Sequence, residues 1–265
     1  VLTGADVNVT NKDNKTPLHF CVQQGNLKSV KLLLEHHGMT DVQDSDNNTA
    51  IIIAASLGHF DIVKLLLEHD ADVSIFGQDG KNVLWYTASK GQINFVKEVL
   101  QKCPNPDGDQ CQSSAMIEAT KEGFSEIVKL LLSHGADVHR VDQHGRSCVH
   151  WAAARGHPNI LQTQLDAGGD PKAADKQGDT PLTISAWKCH LEPLKLVLPL
   201  SDLHHCESDH GFSALHLSVL EDFKEGVEVL LAAGADIEQV DGKGNNAFIL
   251  AAIHTSDAEI TKMML

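Results

Sequence analysis

A motif that recurs about every 33 residues constrains the fold of this 265-residue chain more than any other feature. The clearest copies are Thr-Pro-Leu-His at 16–19 and Thr-Pro-Leu-Thr at 180–183. Weaker copies begin at Thr49, Asn82, Ser114, Ser147, Ser213 and Asn246. Six of the seven intervals between copies are 33 residues long and one is 32. Such a period predicts stacked supersecondary units, each burying its apolar face against its neighbours.

The residue types within one copy predict a pair of helices. The first residue of each copy, which we call the anchor, is Thr, Ser or Asn, and these residues cap helix N-termini by accepting a backbone N–H. Pro17 and Pro181 follow an anchor at the first helical position, where a missing N–H has no cost. Small residues such as Ala152 let two helices approach closely, and glycines such as Gly156 suit the left-handed end of a helix. An apolar stripe at 62–67 is typical of the second helix.

Two longer segments carry a family resemblance. Gly-Arg-Ser-Cys-Val-His-Trp-Ala-Ala-Ala-Arg-Gly-His at 145–157 and Ile-Val-Lys-Leu-Leu-Leu-Ser-His-Gly-Ala-Asp-Val at 127–138 resemble ankyrin repeats, and the likeness covers essentially the whole chain. It implies an all-α fold with short β-hairpin fingers, an ankyrin-repeat solenoid of eight to nine helix-turn-helix repeats. We expect a single domain over 1–265. Because Val1 is an internal start and the last repeat stops at Leu265 without a polar capping helix, this domain is expected to be a fragment of a longer array or multidomain protein.

Three places depart from the repeat pattern. The segment 103–108 replaces a regular finger and contains the one-residue deletion. Cys189 and Asp222 stand where other repeats have the glycine that ends the first helix. Pro199 is predicted to shorten a second helix. We therefore predict weak joints at 103–108 and at 199–206.

Charge and cysteine usage limit the classes of partner and compartment. The formal net charge of −15 disfavours general binding to nucleic acid or to an anionic membrane surface. No apolar run reaches the length of a membrane span. The six cysteines show no disulfide framework, so they are interpreted as reduced thiols of an intracellular protein. We expect the cytoplasm, with the nucleus as the alternative.

No pattern in the sequence indicates catalysis. It contains no Gly-rich phosphate loop, nucleophile elbow or paired-carboxylate signature, so we expect no enzymatic activity and no cofactor. Ten of the sixteen histidines fall at recurrent repeat positions. The remaining cluster, His204, His205, Cys206 and His210, matches no zinc spacing, so no metal site is predicted.

The family resemblance implies that a partner binds along a groove formed by finger tips and first helices. The 40 positions assigned to that groove hold ten basic and seven acidic residues, although the whole chain is acidic. Large aromatic residues and arginine are enriched at binding hot spots, and arginine suits carboxylate recognition. We predict a partner-binding set that consists of Tyr86, Lys121, Arg146, Trp151, Arg155, Trp187, Lys188 and Phe212.

The leading interpretation is a non-enzymatic protein-interaction scaffold that binds a peptide segment with acidic and apolar side chains. One alternative is an aromatic-cage reader of methylated lysine that uses Tyr86, Glu118 and Trp151, although Arg146 beside it would repel a cation. The other is a nucleotide- or oligonucleotide-sensing array that regulates an attached enzyme domain. The resemblance also implies hydroxylation by an asparaginyl hydroxylase, for which Asn8 and His139 occupy the matching position.

Overall fold

The fold is all-α. A computed structural model describes residues 4–102, 115–254 and 258–265, so the segment 103–108 lies outside the described residues. The described residues contain sixteen α-helices and one 3₁₀ helix (η1). They are α1 (Pro17–Gln23), α2 (Leu27–Glu35), α3 (Ala50–Leu57), α4 (Phe60–Glu68), α5 (Val83–Ser89), α6 (Ile93–Lys102), α7 (Ala115–Lys121), α8 (Ser125–Ser133), α9 (Cys148–Arg155), α10 (Pro158–Asp166), α11 (Pro181–Trp187), α12 (Leu191–Val197), η1 (Leu198–Leu200), α13 (Ala214–Leu220), α14 (Lys224–Ala232), α15 (Ala247–His254) and α16 (Ala258–Met263).

The helices alternate between first helices, with odd numbers, and second helices, with even numbers. The chain divides into an N-terminal unit (Val1–Glu122 and Ser133–Ala136) and a C-terminal unit (Gly123–Leu132 and Asp137–Leu265). In the N-terminal unit α1, α3, α5 and α7 pack in sequence, and in the C-terminal unit α9, α11, α13 and α15 do so. Fully buried Ala152 and Ala153 on α9 show why: small side chains at this position allow close packing of first helices.

The segments between repeats form the expected fingers, but these are less sheet-like than predicted. Among the described residues only isolated antiparallel bridges occur, at Val141–Ser147, Cys206–Ser213 and Val240–Asn246. Neighbouring fingers are joined tip to tip by backbone hydrogen bonds, such as Lys176 N–H to the His144 carbonyl at 3.0 Å and Ser208 N–H to the Gln177 carbonyl at 2.8 Å. Within several fingers, a carboxylate also accepts backbone N–H groups of the same tip. Asp175, for example, accepts the N–H groups of Gln177 (2.8 Å) and Asp179 (3.0 Å).

The seven described anchors each precede the first residue of a first helix, as predicted. In three repeats, however, the anchor pairs with a histidine three residues later instead of only capping the backbone. The imidazole Nδ1 of His150 accepts the backbone N–H of Ser147 (3.1 Å) and lies 2.8 Å from the Ser147 hydroxyl. Its Nε2 lies 3.0 Å from the Ala173 carbonyl in the next finger. His19 and His216 pair with their anchors in the same way.

This pairing predicts that the protein loses stability in mild acid. Burial lowers the pKa of His19, His150 and His216 below the ordinary value of 6.5, and a protonated Nδ1 cannot accept the anchor N–H. The folded-state pKa is therefore below that of the unfolded chain. The contribution of these histidines to the free energy of unfolding is fully present above pH 6.5. Below that pH the free energy of unfolding falls by up to about 1.4 kcal/mol per pH unit for each histidine.

Urea unfolding at pH 7.5, 6.5 and 5.5 measures this dependence. His150→Thr copies the Thr183 that fills the same position after Thr180, so its unfolding free energy should depend less on pH than that of the wild type. His144→Thr, at an exposed finger position, is the control and should keep the wild-type slope. An unchanged slope in His150→Thr would show that the anchor histidines do not sense acid.

The departures at the sixth and seventh repeats take the expected form. Helix α12 ends at Val197, and Pro199 lies in the following 3₁₀ helix, so the second helix is shortened as predicted. Cys189 (φ +56°) and Asp222 (φ +52°) adopt the left-handed conformation that glycine holds in other repeats. A non-glycine residue in this region is strained.

A histidine at the start of several second helices covers the glycine that ends the first helix of the preceding repeat. The His190 ring lies against Gly156, whose φ is +68°, and its Nε2 lies 3.2 Å from the Ala154 carbonyl. His59 covers Gly25 and His157 covers Gly123 in the same way. The recurrent histidines at this position therefore bind consecutive repeats together.

Candidate functional site

The C-terminal unit brings three of the predicted site residues together around the indole of Trp151. The guanidinium carbon of Arg146 lies 5.5 Å from the ring centroid, and that of Arg155 lies 5.8 Å from it. The indole N–H donates to Asp142 at 2.9 Å. Both guanidinium groups therefore make cation–π contacts with a ring that is half-buried and held in place.

At the end of the next first helix, α11, Trp187 and the following residue, Lys188, form a second cluster. Trp187 is the most exposed tryptophan, at 41%, and the Lys188 ammonium lies 3.5 Å from its ring centroid. Lys188 follows its anchor by eight residues, as Arg155 does on α9, and α9 packs against α11. The two clusters thus present a basic group at equivalent positions of neighbouring helices.

A cavity of about 360 Å³ lies between the finger tips and first helices of the C-terminal unit. Its apolar surface comes from Trp187, Phe212, Leu217 and Leu220. The Phe212 ring stacks on His210 with centroids 5.2 Å apart. Two of the predicted aromatic residues therefore line one concave surface, which is the usual shape of a ligand or side-chain pocket.

The charges at this cavity differ from the predicted ones. Its lining contains four carboxylates (Asp179, Glu207, Asp209 and Glu221), one guanidinium (Arg146) and one imidazole (His210).

Arg146 is already engaged within the protein. Its Nε donates to the fully buried carboxylate of Asp175 at 2.8 Å, and one terminal nitrogen donates to the Gln177 amide oxygen at 3.2 Å. Arg146 therefore joins two neighbouring fingers and has fewer donors left for an incoming carboxylate than the sequence suggested.

The carboxylates at the cavity fall into two kinds. Glu207 is buried and accepts the N–H groups of Asp209, His210 and Phe212 at 2.6–3.0 Å. Burial raises the pKa of Glu207, but these hydrogen bonds outweigh it and hold the pKa below its ordinary value. Burial and the nearby charge of Asp175 raise the pKa of Asp179.

Tyr86 and Lys121 lie in the N-terminal unit, each beside an acidic residue. The Tyr86 hydroxyl donates to Asp79 at 3.1 Å, and burial together with that carboxylate raises its pKa to about 12. The Lys121 ammonium lies 2.6 Å from Glu118. Tyr86 lines a shallow depression with Asp79. Neither residue belongs to the two clusters of the C-terminal unit.

The two residues singled out for hydroxylation have different surroundings. The Asn8 side-chain amide donates to the His37 carbonyl (3.1 Å), and its oxygen accepts the Met39 N–H (2.8 Å). His139 is exposed, and its backbone N–H donates to Asp137 at 2.9 Å. Hydroxylation of either residue stays a prediction.

Among the described residues, no group of three or more His, Cys, Asp or Glu side chains is arranged to hold a metal ion. Nor is any helix in residues 4–102, 115–254 and 258–265 both long enough and apolar enough to cross a membrane.

Sequence reasoning did not assign the acidic side of the cavity to the site. Asp179, Asp209 and Glu221 occupy expected groove positions, but they were outnumbered by basic residues in the sum over all repeats. Between the sixth and seventh repeats, the excess of acid is confined to the seventh, whose charged groove residues are Asp209 and Glu221, whereas the sixth has Lys176 and Lys188 beside Asp179. The buried partner of Arg146, Asp175, is 29 residues away in sequence and lies five residues before its own anchor, where Asp142 and Asp241 also occur.

Comparisons with known proteins agree with this architecture. The family model for ankyrin repeats matches residues 1–77, 74–142 and 149–241. The chain is 29% identical over 156 residues (58% of this chain, 6% of the relative) to ankyrin repeat and KH domain-containing protein mask-1 of Caenorhabditis elegans. It is 40% identical over 68 residues (26% of this chain, 44% of the relative) to protein phosphatase 1 regulatory subunit 27 of Mus musculus. It is 30% identical over 146 residues (54% of this chain, 23% of the relative) to palmitoyltransferase ZDHHC17 of Homo sapiens.

These relatives differ in what their names say they do. One is a regulatory subunit and another is an enzyme, so the match alone assigns no activity. The chain spans less than half the length of each of these relatives. What they share with it is the repeat, and its match extends over most of the 265 residues. The chain therefore belongs to the ankyrin-repeat family.

Proposed function

We propose that this chain is an intracellular, non-enzymatic protein-interaction scaffold whose C-terminal unit binds an extended segment of a partner protein. The cavity beside Trp187 is the observation that carries the proposal. It offers Trp187, Phe212 and two leucines to an apolar side chain. Burying one such side chain contributes about 1.5–3 kcal/mol.

The basic groups at the ends of α9 and α11 favour an acidic residue elsewhere in the partner segment. Arg155 and Lys188 are exposed, and a carboxylate beside them gains charge-assisted hydrogen bonds. Arg146, which is bonded to Asp175, contributes chiefly by fixing the finger that carries it. The proposed partner segment thus combines an apolar side chain with an acidic one.

The alternatives have less support. The ring of Trp151 already has two guanidinium groups beside it, which disfavours a methylated lysine there. The carboxylates at the cavity disfavour a phosphate backbone. The relative named as a phosphatase regulatory subunit supports a protein partner in general terms.

Replacement of Trp187 should remove much of the binding free energy. Nonapeptides that bind the wild-type chain would be selected from a random display library, and their affinities measured by calorimetry. We expect Trp187→Ala to weaken the selected peptides by about 30-fold, or about 2 kcal/mol, as for a hot-spot residue. The selected peptides should also be enriched in Asp or Glu.

Phe20→Ala provides the matched control, because Phe20 is an aromatic residue on a first helix of the N-terminal unit with 43% exposure. It should leave these affinities unchanged. Both variants must retain the wild-type helical circular dichroism signal. Equal effects of the two substitutions, or none from Trp187→Ala, would place the binding surface elsewhere.

A further inference from the structure

The cavity of the C-terminal unit is surrounded by charges that its apolar walls do not explain. Four carboxylates line a space of about 360 Å³ that also has two aromatic side chains. An apolar occupant alone would leave these carboxylates near a surface of low polarity, where they are poorly solvated.

Two of the charged groups are already used by the protein. Arg146 is neutralised by Asp175, whose side chain has no exposed surface, at 2.8 Å. Glu207 is 9% exposed and accepts three backbone N–H groups of its own finger. Neither group is therefore the main attraction for a ligand.

The other three carboxylates remain available. Asp209 and Glu221 are exposed, and neither side chain has a hydrogen-bond or ion-pair partner within the part of the chain that the structure describes. Asp179 is half-buried, and its side chain accepts a hydrogen bond from the Thr183 hydroxyl at 3.3 Å. Its raised pKa reflects burial near Asp175, so a cation beside it would relieve unfavourable charge.

We propose that this cavity binds a basic side chain of the partner segment, arginine or lysine, together with the neighbouring apolar side chain. The apolar stem of such a side chain packs on Trp187 and Phe212, and its cationic head reaches the carboxylates of Asp179, Asp209 and Glu221. Long basic side chains bury their stems in this way while keeping the charge near polar groups. Planar guanidinium groups also stack on aromatic rings.

This inference rests on the proposed function and makes it more specific. The partner segment would present its acidic residue to Arg155 and Lys188 and its basic residue to the cavity. Opposite charges at two separate places fix the direction and register of an extended segment, because a reversed segment would bring like charges together.

The test uses the full chain and an array of nonapeptides with one fixed leucine. At each position near the leucine, arginine, lysine or the neutral isostere citrulline is placed in turn, and binding is measured by fluorescence anisotropy. We expect the basic peptides to bind about tenfold tighter than the citrulline peptide at the best position. This preference should decrease as salt rises.

Asp209→Asn/Glu221→Gln is the informative variant, because these side chains are exposed and lose no hydrogen bond or ion pair with the described residues. We expect the preference for arginine over citrulline to fall below about threefold, while affinity for the citrulline peptide is retained. Glu225→Gln/Glu228→Gln makes the same change in net charge at exposed positions of α14, outside the cavity lining, and should keep the full preference.

The two proposals fail in different ways. If the peptides bind in a Trp187-dependent manner but arginine, lysine and citrulline are equivalent, the basic-side-chain inference is wrong and the proposed function stands. If no peptide depends on Trp187, the proposed function is wrong. If both double variants lost the preference for arginine over citrulline equally, the preference would come from net charge and not from the cavity. That result would also overturn the inference.

Discussion

Asp175→Ala should lower the free energy of unfolding by about 3–5 kcal/mol, as expected when one partner of a buried ion pair is removed. The Asp175 carboxylate has no exposed surface. It accepts the backbone N–H groups of Gln177 and Asp179 and the Nε–H of Arg146. Alanine removes all three hydrogen bonds at once and leaves a partly buried guanidinium without its counter-charge. Each orphaned donor adds a desolvation penalty.

Asp170→Ala is the matched control for this experiment. Asp170 lies in the same finger and accepts one backbone N–H, from Lys172 at 2.8 Å, but it is exposed. Its replacement should cost less than about 1 kcal/mol, because water replaces the lost acceptor. Asp175→Asn, which keeps one carbonyl oxygen, should fall between the two. Urea unfolding followed by circular dichroism gives the three values, and equal losses for Asp170→Ala and Asp175→Ala would mean that the Asp175 network is not a main source of stability.

Gly156→Ala should also destabilise the protein strongly, by about 3 kcal/mol. The residue has a φ of +68°, which costs an alanine about 1–2 kcal/mol. An added Cβ would lie 2.9 Å from two atoms of the His190 ring. Moving the ring to relieve this contact sacrifices its hydrogen bond with the Ala154 carbonyl, and overpacking of this kind costs about 1–3 kcal/mol.

Gly168→Ala separates the backbone cost from the contact with the histidine. Gly168 has a φ of +92°, and an added Cβ there would have no atom within 4 Å. Its substitution should cost only the backbone part, about 1–2 kcal/mol. In a His190→Ala background the difference between the two glycine variants should largely disappear. Equal losses for Gly156→Ala and Gly168→Ala in the wild-type background would show that the ring does not restrict Gly156.

The helical framework could be predicted from sequence because local residue types determine it. Each described anchor lies directly before a first helix, Pro199 lies beyond the end of α12, and Cys189 and Asp222 have the positive φ of the glycine that they replace. These features depend on N-terminal capping, on the proline ring and on backbone sterics, all of which act within a few residues. Because the period is regular, the same helix pair recurs along the chain.

The candidate site could be predicted only in part, because its charges depend on contacts between repeats. Arg146, Trp151 and Arg155 were assigned to one partner-binding set, and they lie together. The pairing of Arg146 with Asp175 required the orientation of two fingers, which no local pattern specifies. The acidic lining of the cavity likewise combines carboxylates of two fingers with Glu221 at the end of α13, which surround one space only in the folded chain.

The backbone bonds between finger tips have a consequence for how such a protein evolves. They join main-chain atoms, as in Lys176 to His144 and Gly242 to His210, so they set no requirement on most tip side chains. Mutations at these tips can therefore alter ligand preference while the ladder that aligns the fingers persists. Arg146 and Asp175 are an exception, since their side chains contribute to that alignment. Substitutions that change ligand preference should be tolerated more often at tips outside this pair. A design that introduces a new specificity into the array should retain both residues.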